Sequence, residues 1–234
     1  MKMLVSDYDN TFYLNDEDIK NNVKLVNEFM KNNIFLIATG RSYFHYDIVK
    51  NKYNINSNYL IINHGATIIK NDKIIYNIEI NNDIKNKLIQ ELKLDKAVDI
   101  FCCSLIENYT SLDNYNLTKI HIKYKTKAIA KEINELIINK YSKYLNCFFV
   151  CENQAIEIVS KEADKSKAIN FIANLESIQT KDIYVIGDSY TDIEMIKKFN
   201  GFRMTNCVEE LKQITNNEYE SVSILIGEIL NDKV

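Results

Sequence analysis

Two pairs of aspartates lie directly after short apolar runs near the two ends of the chain. Asp7 and Asp9 form the first pair, and Asp188 and Asp192 form the second. Two carboxylates in different surroundings can divide the roles of a nucleophile that attacks phosphorus and a general acid/base that handles the leaving-group proton. The second pair offers hard oxygen ligands, with no thiolate or imidazole nearby in sequence, and this suits magnesium. Taken singly, the first pair also fits a polar turn, and the second fits a capped helix start.

Two further places in the sequence offer groups that can bind an anion: the end of another apolar run and the start of a later helix. Thr39 and Gly40 offer a hydroxyl and free backbone N–H groups where a strand meets a helix, an arrangement that can hold a phosphate. Lys165 opens a predicted helix and can add a positive charge. The plain alternatives are a turn glycine and a solvated surface lysine. Lys167 is close enough to be confused with Lys165, and the spacing from the helix start favours Lys165.

These residues follow strands of a predicted parallel sheet. Short apolar runs bounded by polar residues predict buried strands at 3–6, 34–38, 59–62 and 183–186, and a short strand near Phe202. Helical spacing predicts helices over 17–31, with Asp16 as the N-cap, over 42–52 and 165–175, and from Asp192. Strands that alternate with helices form a parallel sheet with right-handed crossovers, and ligands bind outside the carboxyl ends of its strands.

The middle of the chain has a different rhythm. Strands are predicted at 73–80, 98–106, 118–124, 146–151 and 155–159, and helices near 83–93 and 127–141. Only residues 152–154 separate the last two strands, which predicts an antiparallel hairpin. The segment 77–160, called the insert below, is therefore predicted to be an α+β domain. The fold class is α/β, and residues 1–76 and 161–234 together are predicted to form the catalytic core.

Four candidate sites follow one another along the chain: an acid pair, a hydroxyl with a glycine, a lysine and a second acid pair. Together, in this order, they indicate a function more specifically than any one of them alone. On these residues the sequence resembles the haloacid dehalogenase superfamily of aspartate-nucleophile phosphatases, and in particular its Cof-type members, over nearly the whole chain. The resemblance implies a Rossmann-like core with an α+β cap where the insert lies. It also implies a Mg²⁺-dependent phosphoric monoester hydrolase that cleaves small phosphorylated metabolites, such as sugar phosphates, through an aspartyl-phosphate.

The resemblance assigns the carboxylates their roles. Asp7 matches the family's nucleophile, and Asp9 matches the general acid/base, which also contacts the metal through its main chain. Asp188 and Asp192 match the carboxylates that bind magnesium together with Asp7.

The same resemblance assigns the phosphate-binding groups and shows three departures. Thr39 matches the phosphate-binding hydroxyl, Gly40 supplies a backbone donor, and Lys165 matches the lysine that holds the nucleophile and the phosphoryl oxygens. The departures are Asn10 in place of a common glycine, Thr191 in place of a usual asparagine, and His64 in what is often a bare Asn-Gly turn. The departures remove no group that carries chemistry.

Two other functions and several specificity residues stay open at this point. A phosphotransferase or mutase of the same superfamily would carry the same motifs, and a non-catalytic phosphate- or magnesium-binding regulatory module would share the acidic pocket. Members of the insert are candidates for substrate contact, although a core or surface position is more usual for such residue types. These candidates are Cys102, Tyr109, Tyr115 and Tyr124. A structural or surface role is favoured for His64.

Composition excludes several classes of protein. The 234 residues are 46% hydrophobic and 26% charged, which allows a sizeable core. A net charge of −3 with dispersed lysines gives no footprint for nucleic acid. No long apolar run indicates a membrane or export, and the five cysteines lack metal-ligand spacing, so reduced thiols in a cytoplasmic protein are expected. The expected partner is a small phosphorylated metabolite, and nothing in the sequence indicates an oligomeric state.

Overall fold

The computed structural model describes residues 1–113 and 116–234, and its strands form two sheets. The strands are β1 (Met3–Ser6), β2 (Ile34–Ala38), β3 (Tyr59–Ile62), β4 (Thr67–Lys70), β5 (Lys73–Asn77), β6 (Ala97–Ser104), β7 (Glu107–Tyr109), β8 (Lys119–Tyr124), β9 (Leu145–Val150), β10 (Ala155–Ser160), β11 (Ile183–Gly187), β12 (Asn200–Met204) and β13 (Glu218–Tyr219). The helices are α1 (Asp16–Phe29), α2 (Tyr43–Tyr53), α3 (Asn82–Ile89), α4 (Lys127–Tyr141), α5 (Lys165–Leu175), α6 (Ile193–Lys198), α7 (Glu209–Lys212) and α8 (Val222–Leu230).

The larger sheet has eight strands in the order β13-β12-β11-β1-β2-β3-β4-β5. The strands from β13 to β3 pair in parallel, which confirms the predicted α/β fold, and β4 and β5 pair antiparallel at one edge. β1 lies near the centre and is buried on both faces. Leu4 packs into one apolar cluster, and Met3 and Val5 pack into the other, as alternation along a strand requires. Helices cover both faces of the sheet. Because β1, β2 and β11 are parallel neighbours, their carboxyl ends lie at the same edge of the sheet.

The first helix begins one residue away from its predicted cap. Asn15, and not Asp16, is the N-cap of α1, because the Asn15 side-chain oxygen accepts the N–H groups of Glu17 and Asp18 at 2.9 and 3.0 Å. Asparagine and aspartate cap helices almost equally well, so the sequence alone does not choose between neighbours of these two types. The predicted strand at 73–80 ends at Asn77, and β4, β7, β13, α7 and α8 have no counterpart in the prediction.

The smaller sheet is antiparallel, with the strand order β7-β6-β8-β10-β9, and it lies within the insert. The predicted hairpin of β9 and β10 is confirmed. One face packs on α3 and α4 through apolar side chains such as Ile122 and Ile156. Strand register places four residues of the opposite face in one row across the sheet. This row consists of Phe101, His121, Glu157 and Phe148. Among the helices of the described residues, none is long and apolar enough to cross a membrane.

Candidate active site

A lysine joins two aspartates where β1 and β11 end. Asp7 follows β1, and its N–H donates to the carbonyl of Ile186 in β11 at 3.0 Å. Lys165, the first residue of α5, donates from Nζ to Asp7 Oδ1 at 2.6 Å and to Asp192 Oδ1 at 2.7 Å. All three side chains are buried. One ammonium group therefore bridges two carboxylates and offsets one of their two negative charges in a site from which water is largely excluded, and the loss of Lys165 would leave both carboxylates buried without it.

The third buried carboxylate belongs to Asp188. The Thr11 hydroxyl donates to Asp188 Oδ1 at 2.7 Å. Burial raises the pKa of Asp188 to about 6, and the charge of Asp192 adds to that effect, while the Thr11 hydroxyl opposes it. Burial also raises the pKa of Asp7 well above its usual range, despite the opposing charge of Lys165. The pocket thus holds more negative charge than its own side chains neutralise.

These carboxylates fit a divalent cation. Among the residues that the structure describes, Asp7, Asp188 and Asp192 each offer an oxygen, and the three oxygens lie within 4.8 Å of one another. The donor set is entirely carboxylate oxygen, which suits magnesium better than the softer transition metals. The raised pKa of Asp188 agrees with this assignment, because a nearby cation would stabilise the ionised carboxylate against both its burial and the repulsion from Asp192.

The position of Asp192 depends on a glycine. Asp192 Oδ2 accepts the N–H groups of Asp188 and Ser189 at 3.1 and 3.0 Å, and the Ser189 hydroxyl at 2.9 Å. A Cβ added at Gly187 would lie 2.4 Å from Asp192 Cγ, where no side chain fits. Gly187 therefore allows the close approach by which Asp192 fastens the loop after β11.

Asp9 lies apart from the three buried carboxylates and pairs with an arginine. Arg41 donates from Nε to Asp9 Oδ2 at 2.9 Å and from Nη2 to Asp9 Oδ1 at 2.7 Å, a bidentate arrangement. The Arg41 guanidinium also lies 5.0 Å from the ring centre of Tyr8. The Asp9 side chain is 47% exposed, so it is accessible from the cleft. The next residue, Asn10, has a φ of 58°, a conformation that asparagine tolerates better than most residues.

Residues 39–41, called the 39–41 loop below, are fixed by hydrogen bonds to each of their carbonyls. Thr39 O accepts the N–H of His64 at 3.2 Å, and Arg41 O accepts the N–H of Asn63 at 3.0 Å. Gly40 O accepts Nζ of Lys119, a residue of the insert, at 2.7 Å. Within the loop, the N–H of Arg41 donates to the Thr39 hydroxyl oxygen at 3.1 Å, which leaves that hydroxyl's own proton available to a ligand.

A buried polar cluster, called the bridging cluster below, connects the insert to the 39–41 loop. Glu157 Oε1 accepts Nζ of Lys119 at 2.8 Å and lies 3.1 Å from His121 Nδ1, while Glu157 Oε2 lies 2.5 Å from His64 Nε2. Burial alone would raise the pKa of Glu157, but Lys119 and the two histidines outweigh it and hold that pKa well below the usual range. Burial lowers the pKa of His64, so this ring is neutral and donates through Nε2.

His64 also explains why a glycine occupies position 40. A Cβ at Gly40 would lie 2.4 Å from Cε1 of the His64 ring, so any other residue would displace the ring. Of the two roles favoured for His64, the surface role is wrong because the ring is buried, and the structural role agrees with its contact to Glu157.

The cleft between the two sheets has a volume of about 1070 Å³. Its lining joins the catalytic loops, through Asp7, Asp9, Gly40 and Asp188, to the row of the insert sheet that holds Phe101, His121, Glu157 and Phe148. Such a cleft accommodates a phosphate together with a sizeable leaving group.

The structure brings four of the predicted site residues into contact and places the alternative lysine elsewhere. Asp7, Lys165, Asp188 and Asp192 come together as the spacing indicated, whereas Lys167 lies outside and pairs with Glu162 at the surface. Their roles, and those of Asp9, Thr39 and Gly40, stay predictions.

The substrate-contact candidates of the insert fare differently. Cys102 and Tyr124 belong to the apolar cluster on the helix side of the insert sheet, and Tyr109 packs against that cluster, so they do not face the cleft. Tyr115 lies outside the described residues. Sequence reasoning assigned no role to Arg41, Lys119 or Glu157; their alternation with apolar neighbours along β8 and β10 was the available signal for the last two.

Comparisons with known proteins agree with this geometry. The family model of the haloacid dehalogenase-like hydrolases matches residues 4–153 and 103–223, and the chain belongs to that family. A protein of Buchnera aphidicola subsp. Baizongia pistaciae, provisionally named a phosphatase, is 28% identical over 97% of each chain. A 5-amino-6-(5-phospho-D-ribitylamino)uracil phosphatase of Bacillus subtilis is 34% identical over 32% of this chain and 29% of its own.

Solved structures show the same fold. The structure of a provisionally assigned HAD/COF-like hydrolase from Plasmodium vivax superposes with a TM-score of 0.84 and 19% identity, covering 100% of this chain and 96% of the other. The solved structure thus agrees in fold, and the family match makes the protein an enzyme of the hydrolase class.

Proposed function

We propose that the protein is a magnesium-dependent phosphatase of small phosphorylated metabolites, sugar phosphates or similar compounds, and that Asp7 is its nucleophile. The observation that carries the proposal is the arrangement of Lys165 between Asp7 and Asp192, with an Asp188 oxygen close enough to share a cation with them. Phosphoryl transfer develops charge on the phosphoryl oxygens, so a site for it needs positive groups around one carboxylate. Relatives named as phosphatases support the same reading.

The proposed reaction has two steps. In the first, an Asp7 oxygen forms a bond to phosphorus, the bond from phosphorus to the leaving oxygen breaks, and Asp9 gives that oxygen a proton. In the second, water attacks the aspartyl-phosphate, Asp9 accepts the water proton, and the bond from Asp7 to phosphorus breaks. Lys165 holds the Asp7 carboxylate in place, while the Thr39 hydroxyl and the Gly40 N–H donate to phosphoryl oxygens. Magnesium held by Asp7, Asp188, Asp192 and the Asp9 main chain would supply charge that offsets the repulsion between carboxylate and phosphate.

The pairing of Asp9 with Arg41 adds a requirement to this scheme. Both Asp9 oxygens accept hydrogen bonds from Arg41, so at least one of these bonds must be released, and the freed oxygen must take up a proton from water, before Asp9 can protonate the leaving oxygen. Arg41 lines the cleft, where its guanidinium could exchange one carboxylate contact for a phosphoryl oxygen.

The insert, residues 77–160, is proposed to act as a cap over a core formed by residues 1–76 and 161–234. Its sheet presents the row of Phe101, His121, Glu157 and Phe148 toward the cleft, where the part of the substrate beyond the phosphate would lie. The cap would exclude water and select the leaving group.

The test is phosphate release from a panel of phosphorylated metabolites in the presence of magnesium. The panel includes hexose phosphates, an aryl phosphate and 5-amino-6-(5-phospho-D-ribitylamino)uracil, the compound in the name of the Bacillus subtilis relative. We expect turnover that a chelator abolishes and that Asp7→Asn removes, while Asp18→Asn, a half-buried aspartate of α1 that does not line the cleft, keeps wild-type rates. Wild-type turnover by the Asp7→Asn variant would show that the covalent scheme is wrong, and transfer to a sugar hydroxyl without release of inorganic phosphate would identify a phosphotransferase.

A further inference from the structure

One of the hydrogen bonds to the 39–41 loop is donated by the insert, whereas the others come from the parallel-sheet part of the chain. The carbonyls of Thr39 and Arg41 accept backbone N–H groups from the turn after β3, which pairs with β2. The carbonyl between them, on Gly40, accepts Nζ of Lys119 at 2.7 Å. Lys119 is the first residue of β8, in the middle of the insert. The central peptide of the loop is therefore held from the other sheet.

That peptide is also the one with the greatest freedom to rotate. Gly40 has no Cβ, so steric restraint on its backbone is weaker than at Thr39 or Arg41. The peptide that carries the Gly40 carbonyl also carries the Arg41 N–H, which donates to the Thr39 hydroxyl oxygen at 3.1 Å. A rotation of this peptide would remove that donor from Thr39 and leave the hydroxyl without a fixed direction.

The ammonium group of Lys119 is itself held in place. Its Nζ donates to Glu157 Oε1 at 2.8 Å, and both side chains are buried. Glu157 Oε2 in turn lies 2.5 Å from Nε2 of His64, whose ring fills the space beside Gly40. Gly40 is thus enclosed by an imidazole ring on one side and by an ammonium donor at its carbonyl, and one carboxylate of the insert contacts both.

We propose that Lys119 is a positioning residue that the cap supplies to the phosphate-binding loop: by holding the Gly40 carbonyl, it orients the Thr39 hydroxyl and the loop amides toward phosphate. The expected effect of Lys119 on turnover rests on the proposed phosphatase function, whereas its role in holding the loop does not. Because the donor belongs to the insert, a leaving group that displaces the insert sheet also withdraws the donor. The fit of the leaving group is in this way coupled to the geometry of the phosphate site.

The first test does not require activity. Amide hydrogen exchange of the full-length protein is compared for wild type, Lys119→Met and Lys123→Met. Lys123 lies four residues further along β8, opposite Ala155, and serves as the matched control. Loss of a hydrogen bond from a charged donor predicts about tenfold or faster exchange, confined to the peptide that contains residues 39–41, in Lys119→Met only. Unchanged exchange in that peptide, or an equal change in the control, overturns the proposal.

Lys119→Met leaves the Glu157 carboxylate buried without its lysine and can lower stability for that reason alone. The double variant Lys119→Met with Glu157→Gln removes both charges and leaves neither unpaired. We expect the same local increase in exchange in the double variant, because Gly40 still lacks its donor. Protection restored to the wild-type level in the double variant would show that charge imbalance, and not the bond to Gly40, causes the effect, and would overturn the proposal.

The second test uses orthovanadate as a phosphate-like inhibitor and two substrates with different leaving groups. A positioning role predicts that Lys119→Met weakens vanadate binding about tenfold and lowers kcat/KM by the same factor for an aryl phosphate and for a hexose phosphate. An effect on only one substrate would mean that Lys119 contacts the leaving group, and the proposal would be wrong. Failure of the wild-type protein to hydrolyse any phosphate ester would count against the proposed function alone, because hydrogen exchange still decides the role of Lys119.

Discussion

Replacement of Lys165 by methionine tests the centre of the site most directly. The change keeps most of the aliphatic volume and removes the ammonium group that lies 2.6 Å from Asp7 and 2.7 Å from Asp192. Both carboxylates are then buried beside Asp188 with no lysine to offset them. Removal of one partner from a buried ion pair costs about 3–5 kcal/mol. For a chain of this size, about 2–4 °C of melting temperature corresponds to 1 kcal/mol, so we expect a fall of roughly 6–20 °C.

Lys167→Met is the matched control, since it lies on the same helix two residues further on. The Lys167 side chain is 47% exposed, and its partner Glu162 is 68% exposed, with 2.6 Å between the charged atoms. Exposed pairs of this kind contribute about 0–1 kcal/mol, so the control should melt within a few degrees of wild type.

Thermal unfolding followed by circular dichroism measures the first effect, and phosphate release measures the second. If Lys165 holds the nucleophile as proposed, its loss should lower kcat by about 10²–10³-fold, the usual effect of removing one preorganised electrostatic contact, while Lys167→Met keeps its rate. Equal melting temperatures and equal rates for the two variants would refute the assignment of Lys165 and the charge argument built on it.

Three further predictions follow from contacts in the same region. Asn10→Ala should lower the free energy of unfolding by about 1 kcal/mol relative to Asn10→Gly in chemical denaturation, because the backbone there has a φ of 58°; equal stabilities would show that the loop relaxes. Gly187→Ala should lower stability by about 1–3 kcal/mol and lower magnesium affinity in calorimetry, because the new methyl would lie 2.4 Å from Asp192 Cγ; unchanged affinity would contradict this. Glu157→Gln should be less stable than wild type at pH 7, and this difference in stability should shrink as pH falls below about 4.5. The reason is that a carboxyl whose pKa is lowered by folding stabilises the fold above its ordinary pKa and loses that contribution in acid. A difference in stability that does not depend on pH would mean that the ion pair with Lys119 does not act as described.

The sequence was sufficient to place most of the proposed catalytic groups, because most of them lie at the end of a strand whose apolar run is visible locally. Asp7 and Asp188 end adjacent parallel strands, and Lys165 opens the helix after the insert, so a parallel sheet brings them together without any detail of packing. The same local reasoning failed where two neighbours have similar propensities, as at the cap of α1, where Asn15 and not Asp16 accepts the helix amides.

Contacts between the two sheets were beyond local reasoning. The pairing of Glu157 with Lys119 depends on the antiparallel register of β8 and β10, and the approach of Lys119 to Gly40 depends on how the insert sheet lies against the parallel sheet. A shift of one residue in that register would place Lys119 and Glu157 on opposite faces of the insert sheet, because successive side chains of a strand alternate between faces. Periodicity within one strand shows that such residues share a face, but it does not show which loop that face meets.

The charges of the catalytic loops explain why a divalent cation belongs to the proposed mechanism. Four aspartates, Asp7, Asp9, Asp188 and Asp192, are matched by two cations: Lys165 contacts Asp7 and Asp192, and Arg41 contacts Asp9. With every group ionised, two negative charges are left over, which equals the charge of one magnesium ion. Without that ion, burial and the charge of Asp192 raise the pKa of Asp188 to about 6, so ionising the cluster costs more than ionising free carboxyl groups. A cation would stabilise the ionised carboxylates and lessen their repulsion toward phosphate, so the excess of acidic groups supports the proposed use of magnesium.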